Sequence, residues 1–116
     1  MVILFLTGCM IYDIKQVQKT EIRDVDLGNI SDGSYTGSFS QGYFDCQIRT
    51  TVKDHKIVNI EVIRNKKTRY AQMAEGVIDR ILQKQTPNVD AVTGATTTSK
   101  ALMKAVENSL VSAIIN

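Results

Sequence analysis

The chain has 116 residues, 43% hydrophobic and 22% charged, with a formal net charge of +2; that is room for one globular domain and too little for two. So slight a positive charge, without a Lys/Arg run interleaved by aromatics, excludes a nucleic-acid-binding surface. Six per cent aromatics and no Trp leave a flat ligand few stacking partners, among them Tyr35, Phe39, Tyr43, Phe44 and Tyr70.

The first residues, MVILFLTGC, form an apolar run far shorter than the roughly 20 residues that span a bilayer. Its last four, LTGC, resemble the lipobox of bacterial lipoprotein signal peptides. The resemblance implies that residues 1–8 are a partial signal segment, removed on processing, and that Cys9 becomes the lipidated N-terminus. The several chains of such an anchor would hold firmly where a single chain binds weakly. Residues 9–31 then read as a polar, charged spacer that ends against the domain, with Val25 and Leu27 as docking points. The folded domain is expected at 32–116.

Within it, GSYTGSFS carries Tyr35 and Phe39 on a strand with turn residues at both ends. GYFDCQIRTTV alternates with period two, placing Phe44, Cys46, Ile48, Thr50 and Val52 on one face and Asp45, Gln47, Arg49 and Thr51 on the other. Cys46 there reads as a small buried hydrophobe, since two cysteines make no disulfide framework. A turn at Lys53–Lys56 leads into IVNIEVIR, with Val58, Ile60 and Val62 expected on one face. From Tyr70 the period changes: Tyr70, Ala74, Val77, Ile78, Ile81 and Leu82 recur at helical spacing until Pro87 opens a loop. A second helix is expected to start near Thr98 or Ser99, with Leu102, Ala105, Val106, Leu110 and Ala113 as its apolar stripe. The fold class is therefore α+β, an antiparallel β-meander of about three strands covered by two amphipathic helices.

The stretch DAVTGATTTSKAL, residues 90–102, places Thr96, Thr97, Thr98 and Ser99 directly after Gly94 and Ala95, where loop becomes helix. One such hydroxyl suffices to cap a helix, and Asp90 can close the preceding turn through its side chain. Four hydroxyls exceed that need, and a helix start behind Gly-Ala also suits a phosphate, which finds free N–H groups and a favourable dipole there. The P-loop pattern does not fit: Ser99 stands where its second glycine belongs and Ala101 where its metal-binding hydroxyl belongs, with no parallel βαβ unit around it. A Thr or Ser nucleophile needs a base within reach, and the only histidine, His55, falls in a hairpin turn remote in sequence. With one His and no Cys cluster, transition-metal binding is not expected. No residue is assigned a catalytic role.

The segment DAVTGAT resembles the D-x-x-[ST]-G-A-T motif of the FMN-binding domain family. That family includes the C subunit of the sodium-pumping NADH:quinone reductase and the G subunit of the ion-pumping ferredoxin:NAD oxidoreductase. The resemblance extends over about residues 32–112, from the DGSYTGS entry through the hairpin ending in KIVNIEV to the GATTTSKAL exit. It implies that Asp90, Thr93, Gly94, Ala95 and Thr96 form the motif and that Thr96 carries FMN through a phosphoester. A separate Mg²⁺-dependent flavin transferase that uses FAD would make the ester, with Thr97, Thr98 and Ser99 capping the helix and bonding phosphate oxygens. His55 departs from the family, where many relatives have glycine in that turn, and the run RNKKTR (64–69) is more basic than usual.

Candidates for contact with the flavin ring are Tyr35, Tyr43, Phe44, Tyr70 and Met73, each of which also suits a plain core role. Arg64, Lys66, Lys67 and Arg69 could favour a reduced, anionic flavin, although a charged loop is commonly just solvated. The expectation is a lipid-anchored FMN carrier at the extracytoplasmic face of the bacterial cell membrane. It would pass electrons to a membrane-associated redox partner and act as an electron-transfer module more than as an enzyme in its own right. Two alternatives stay open: a non-redox binding lipoprotein whose helix cap resembles the motif, and a domain that binds FMN reversibly.

Overall fold

The computed structural model of the chain describes residues 11–12 and 14–115, so Cys9 and the LTGC run lie outside the described residues. Its centre is an antiparallel sheet of β1 (Gly33–Gln41), β2 (Phe44–Lys53) and β3 (Lys56–Arg64), in that spatial order. The sheet and the helices around it make the fold α+β, as the patterning implies.

The alternation of β2 is realised residue for residue: Phe44, Cys46, Ile48, Thr50 and Val52 are all buried. Burial pushes the Cys46 thiol up to about 12, with Asp45 adding to the shift, and its Sγ lies 3.4 Å from the Ala101 carbonyl oxygen. That thiol is an inert part of the core.

β3 departs from simple alternation. Ile57 and Ile60 are buried and Val62 is half-buried, whereas Val58 is 52% exposed. The register explains this, because Val52 pairs with Ile57 and Thr51 with Asn59, leaving Val58 as the extra residue of a β-bulge. A second irregularity between Gln47 and Ile48 leaves Ile63 unpaired and exposed in the same way. The exposed edge of β3 is partly closed by Gln85, whose side chain accepts from Ile57 N (2.7 Å) and donates to Ile57 O (3.0 Å) as a neighbouring strand would. The β2–β3 turn places Asp54 and His55 in the left-handed region at φ 54° and 62°, the paired geometry that two-residue hairpins favour. His55 is exposed there, with Nδ1 3.2 Å from Leu27 O.

The helical run expected from Tyr70 is divided. α2 (Arg69–Ala74) is capped by Thr68, whose hydroxyl accepts from Ala71 N at 3.1 Å, and α3 (Val77–Lys84) follows after Glu75 and Gly76. α3 ends with Gln85 in the left-handed conformation, ahead of Pro87. α4 (Thr96–Ile115) crosses the inner face of β1 and β2, while α3 lies against β3. At the α4–β1 crossing the backbones approach so closely that a methyl carbon at Gly37 would stand 2.3 Å from both Ala105 O and Ser109 N. Nearby, Ser109 Oγ lies 2.8 Å from Thr50 Oγ1 and 2.6 Å from Val106 O, satisfying both buried hydroxyls.

Residues 11–12 and 14–19 are helical and form α1; a 3-10 turn at Leu27–Asn29 follows. The segment read from sequence as a spacer is laid along α4. Val17, Ile22 and Ile30 join the core, and Val25 and Leu27 pack against it half-buried. Polar bonds fix its course: Lys100 Nζ donates to Gln18 O (2.8 Å), and the buried Glu107 accepts from Arg23 N (2.7 Å) and Lys104 Nζ (2.8 Å). These attachments explain why α4 is buried well beyond one stripe, at Ala101, Met103 and Glu107 as well.

Candidate functional site

The loop after α3 turns at Thr93-Gly94 into α4. Gly94 has φ +85°, and a Cβ there would meet nothing closer than Met73 Cε at 3.8 Å. The requirement for glycine is therefore conformational, not one of space. The Ala95 carbonyl takes the bond from Ser99 N at 2.9 Å, so the N–H groups of Thr96, Thr97 and Thr98 precede the helical ladder. Ala95 itself brings no side chain to cap them.

The helix starts at Thr96, two to three residues before the expected point, and the four hydroxyls have separate tasks as a result. Ser99 is fully buried, and its Oγ accepts from Val92 N at 3.1 Å, pinning the loop to the helix. Thr98 Oγ1 is 3.3 Å from the carbonyl oxygens of both Ala95 and Tyr70, joining α4 to α2. Thr97 Oγ1 accepts from Gln18 Nε2 of α1 at 3.1 Å. None of the three caps the helix as the sequence suggested, because each lies inside it and is turned to a neighbouring segment. Thr96 is exposed at the first helical position, and its hydroxyl has no protein partner among the described residues.

Thr96 stands at a cleft of about 390 Å³ lined by Gly94, Ala95, Thr97 and Thr98 from its own segment, by Tyr43 and Phe44 from the β1–β2 hairpin, by Thr68 and Tyr70 at the start of α2, and by Ile14 of α1. Tyr43 and Phe44 meet edge to face, with ring centres 5.5 Å apart, and Lys66 Nζ sits 5.0 Å from the centre of the Tyr43 ring. The site thus joins an exposed hydroxyl, three N–H groups at the positive end of a 20-residue helix, and an apolar wall. That donor set suits a phosphate, the wall suits a flat ring attached to it, and the volume lies in the range of cofactor clefts.

Of the residues singled out in the sequence, Gly94, Ala95, Thr96, Thr97 and Thr98 line the cleft, as do the ring candidates Tyr43, Phe44 and Tyr70. Asp90, Thr93 and Ser99 are not among its lining residues: Asp90 and Thr93 are exposed, and Ser99 is buried. The carbonyls of Asp90 and Ala91 accept from Arg80 Nη1 at 2.7 and 2.9 Å, which holds the loop onto α3. Tyr35 is occupied elsewhere, donating to Ser31 O at 2.6 Å, and Met73 packs beside Gly94 without lining the cleft. Sequence reasoning missed Ile14 and Thr68. Thr68 was legible as a helix cap directly before Arg-Tyr, whereas nothing in the polar N-terminal run marked Ile14.

Residues 42–111 match the sequence profile of the FMN-binding domain, an interval that runs from the β1–β2 turn through most of α4 and contains Thr96. The match takes in more than half of the chain, and the cleft at the start of α4 has the donors and the apolar wall that FMN requires. The chain belongs to the FMN-binding domain family, and FMN is its cofactor.

Proposed function

We propose that this protein is an FMN-carrying electron-transfer module whose flavin is esterified to Thr96. One observation carries this reading: of the four hydroxyls at the start of α4, the three others are engaged by protein groups while that of Thr96 is exposed at the cleft. The first N–H groups of α4 would hold the phosphate, and Tyr43, Phe44 and Tyr70 would flank the ring. FMN supplies one- and two-electron transfer, and the chain supplies position, shielding and charge.

The ester is made in trans. Thr96 Oγ forms the new P–O bond to the flavin-side phosphorus of FAD, the bond between the two phosphates breaks, AMP leaves, and the hydroxyl proton passes to a base of a separate flavin transferase. This division of labour agrees with a chain whose only histidine is on the β2–β3 turn, away from the residues that line the cleft. Ser99 and Asp90 act at one remove, holding the loop that presents Thr96.

The LTGC run supports a lipid anchor on Cys9, which would keep the carrier at the extracytoplasmic face of the cell membrane beside its redox partner. Only five residue steps separate Cys9 from the cleft-lining Ile14, at most about 18 Å of extended chain. A flavin in the cleft would therefore stay close to the bilayer surface, and covalent attachment would prevent its loss outside the cell. Coexpression with a flavin transferase tests the reading: the mass should rise by FMN minus one water, and flavin fluorescence should survive a denaturing gel. A wild type that takes up FMN only reversibly would reduce the reading to a dissociable FMN carrier.

A further inference from the structure

We propose that α1, which lies outside the residues that match the FMN-binding domain, is part of the cofactor site. Ile14 forms part of the wall that shields the flavin, and Gln18 is a positioning residue acting through Thr97. The inference rests on FMN occupying the cleft at the start of α4.

Ile14 and Gln18 are four residues apart and share one face of α1. Ile14 is half-buried and lines the cleft with Tyr43 and Tyr70, so it stands where an apolar ring would otherwise meet water. Gln18 Nε2 donates to Thr97 Oγ1 at 3.1 Å, fixing the side chain that follows the attachment residue. The helix that carries both is itself secured. Val17 is fully buried, and Lys100 Nζ reaches the carbonyl oxygens of Gln18 (2.8 Å) and Thr20 (3.4 Å), a cation at the negative end of a helix. Since Lys100 belongs to the first turns of α4, the two helices are clamped together next to Thr96. A segment serving only as a tether needs neither the contact with the cleft nor the bond to Thr97.

Three variants test this: Ile14→Ser, Gln18→Ala and, as a control on an exposed position of the same helix, Lys15→Ala. The readouts are intact mass after coexpression with the transferase, iodide quenching of the attached flavin, and the dissociation constant of FMN itself for unesterified protein. Wild type and Lys15→Ala should load fully and share one quenching constant. A bound ligand shows only roughly 10–30% of its surface, so opening one wall in Ile14→Ser should raise quenching about twofold. Losing the bond to Thr97 in Gln18→Ala should weaken FMN binding by roughly two- to tenfold. Neither readout responds to a purely structural α1 while thermal midpoints stay unchanged; should Ile14→Ser fail to fold, the exposed Gln18→Ala carries the test. The proposal is overturned if wild type loads and both variants match Lys15→Ala in quenching and affinity. A wild type that takes up no FMN at all overturns the reading of the cleft on which it rests.

Discussion

Replacing Gly37 by Ala tests how α4 is seated on the sheet, and two opposed effects decide the sign. In a strand, Ala restricts the unfolded chain more than Gly does, which on its own would stabilise by about 0.4–1 kcal/mol. At this position the added methyl would fall 2.3 Å from Ala105 O, 2.3 Å from Ser109 N and 2.7 Å from Ser109 Cα. All three are helix backbone atoms, so no side chain can swing aside. Restoring ordinary contact distances requires α4 to retreat from β1 by about 1 Å. Overpacking of this kind costs about 1–3 kcal/mol, and the retreat also loosens the buried Ser109–Thr50 pair beside it. The net expectation is a loss of about 2 kcal/mol, or roughly 10 °C in thermal midpoint for a domain of this size. Urea and thermal unfolding followed by circular dichroism measure both quantities. A Gly37→Ala protein as stable as wild type, or more stable, would refute the close approach and with it the account of how α4, and hence Thr96, is fixed.

Two further outcomes follow from buried groups. Gln85→Ala leaves the Ile57 N–H on the β3 edge without its partner, and denaturant titration should record a loss of about 1–3 kcal/mol. Cys46 is protonated in the folded state up to about 12 but ionises near 9 when unfolded. Its contribution is therefore complete below pH 9 and is lost as pH rises from 9 towards 12, at up to about 1.4 kcal/mol per unit. Urea midpoints of wild type and Cys46→Ala should converge across that window, and parallel curves would show that the thiol ionises without unfolding.

How much of this was legible in the sequence depended on whether a pattern was local. The alternation of β2 states its own inner face, because every second residue from Phe44 to Val52 is apolar or small. In β3 the same logic misplaces Val58, since a bulge is a property of two strands in register and leaves no mark in one of them. The run from Tyr70 to Leu82 keeps helical spacing across Gly76, so periodicity alone does not reveal that it is two helices. At the cleft, the family motif pointed to the segment from Gly94 to Thr98 that lines it. What the hydroxyls of Thr97, Thr98 and Ser99 do was not legible, because their partners Gln18, Tyr70 and Val92 come from three different segments. The N-terminal run hid its core residues in the same way: Val17, Ile22 and Ile30 sit among charges with no regular period, and only α4 gives them something to pack on.

The bond at Thr96 is open to direct view by tryptic mapping. Cleavage after Lys84 and Lys100 releases residues 85–100, a peptide that contains Thr86, Thr93, Thr96, Thr97, Thr98 and Ser99 together. Tandem mass spectrometry of that peptide, from protein coexpressed with a flavin transferase, assigns the modified residue from its fragment series. FMN minus water is expected on Thr96 alone, with the Thr96→Ala protein unmodified. FMN found on Thr97 or Thr98, or full labelling of Thr96→Ala, would contradict it.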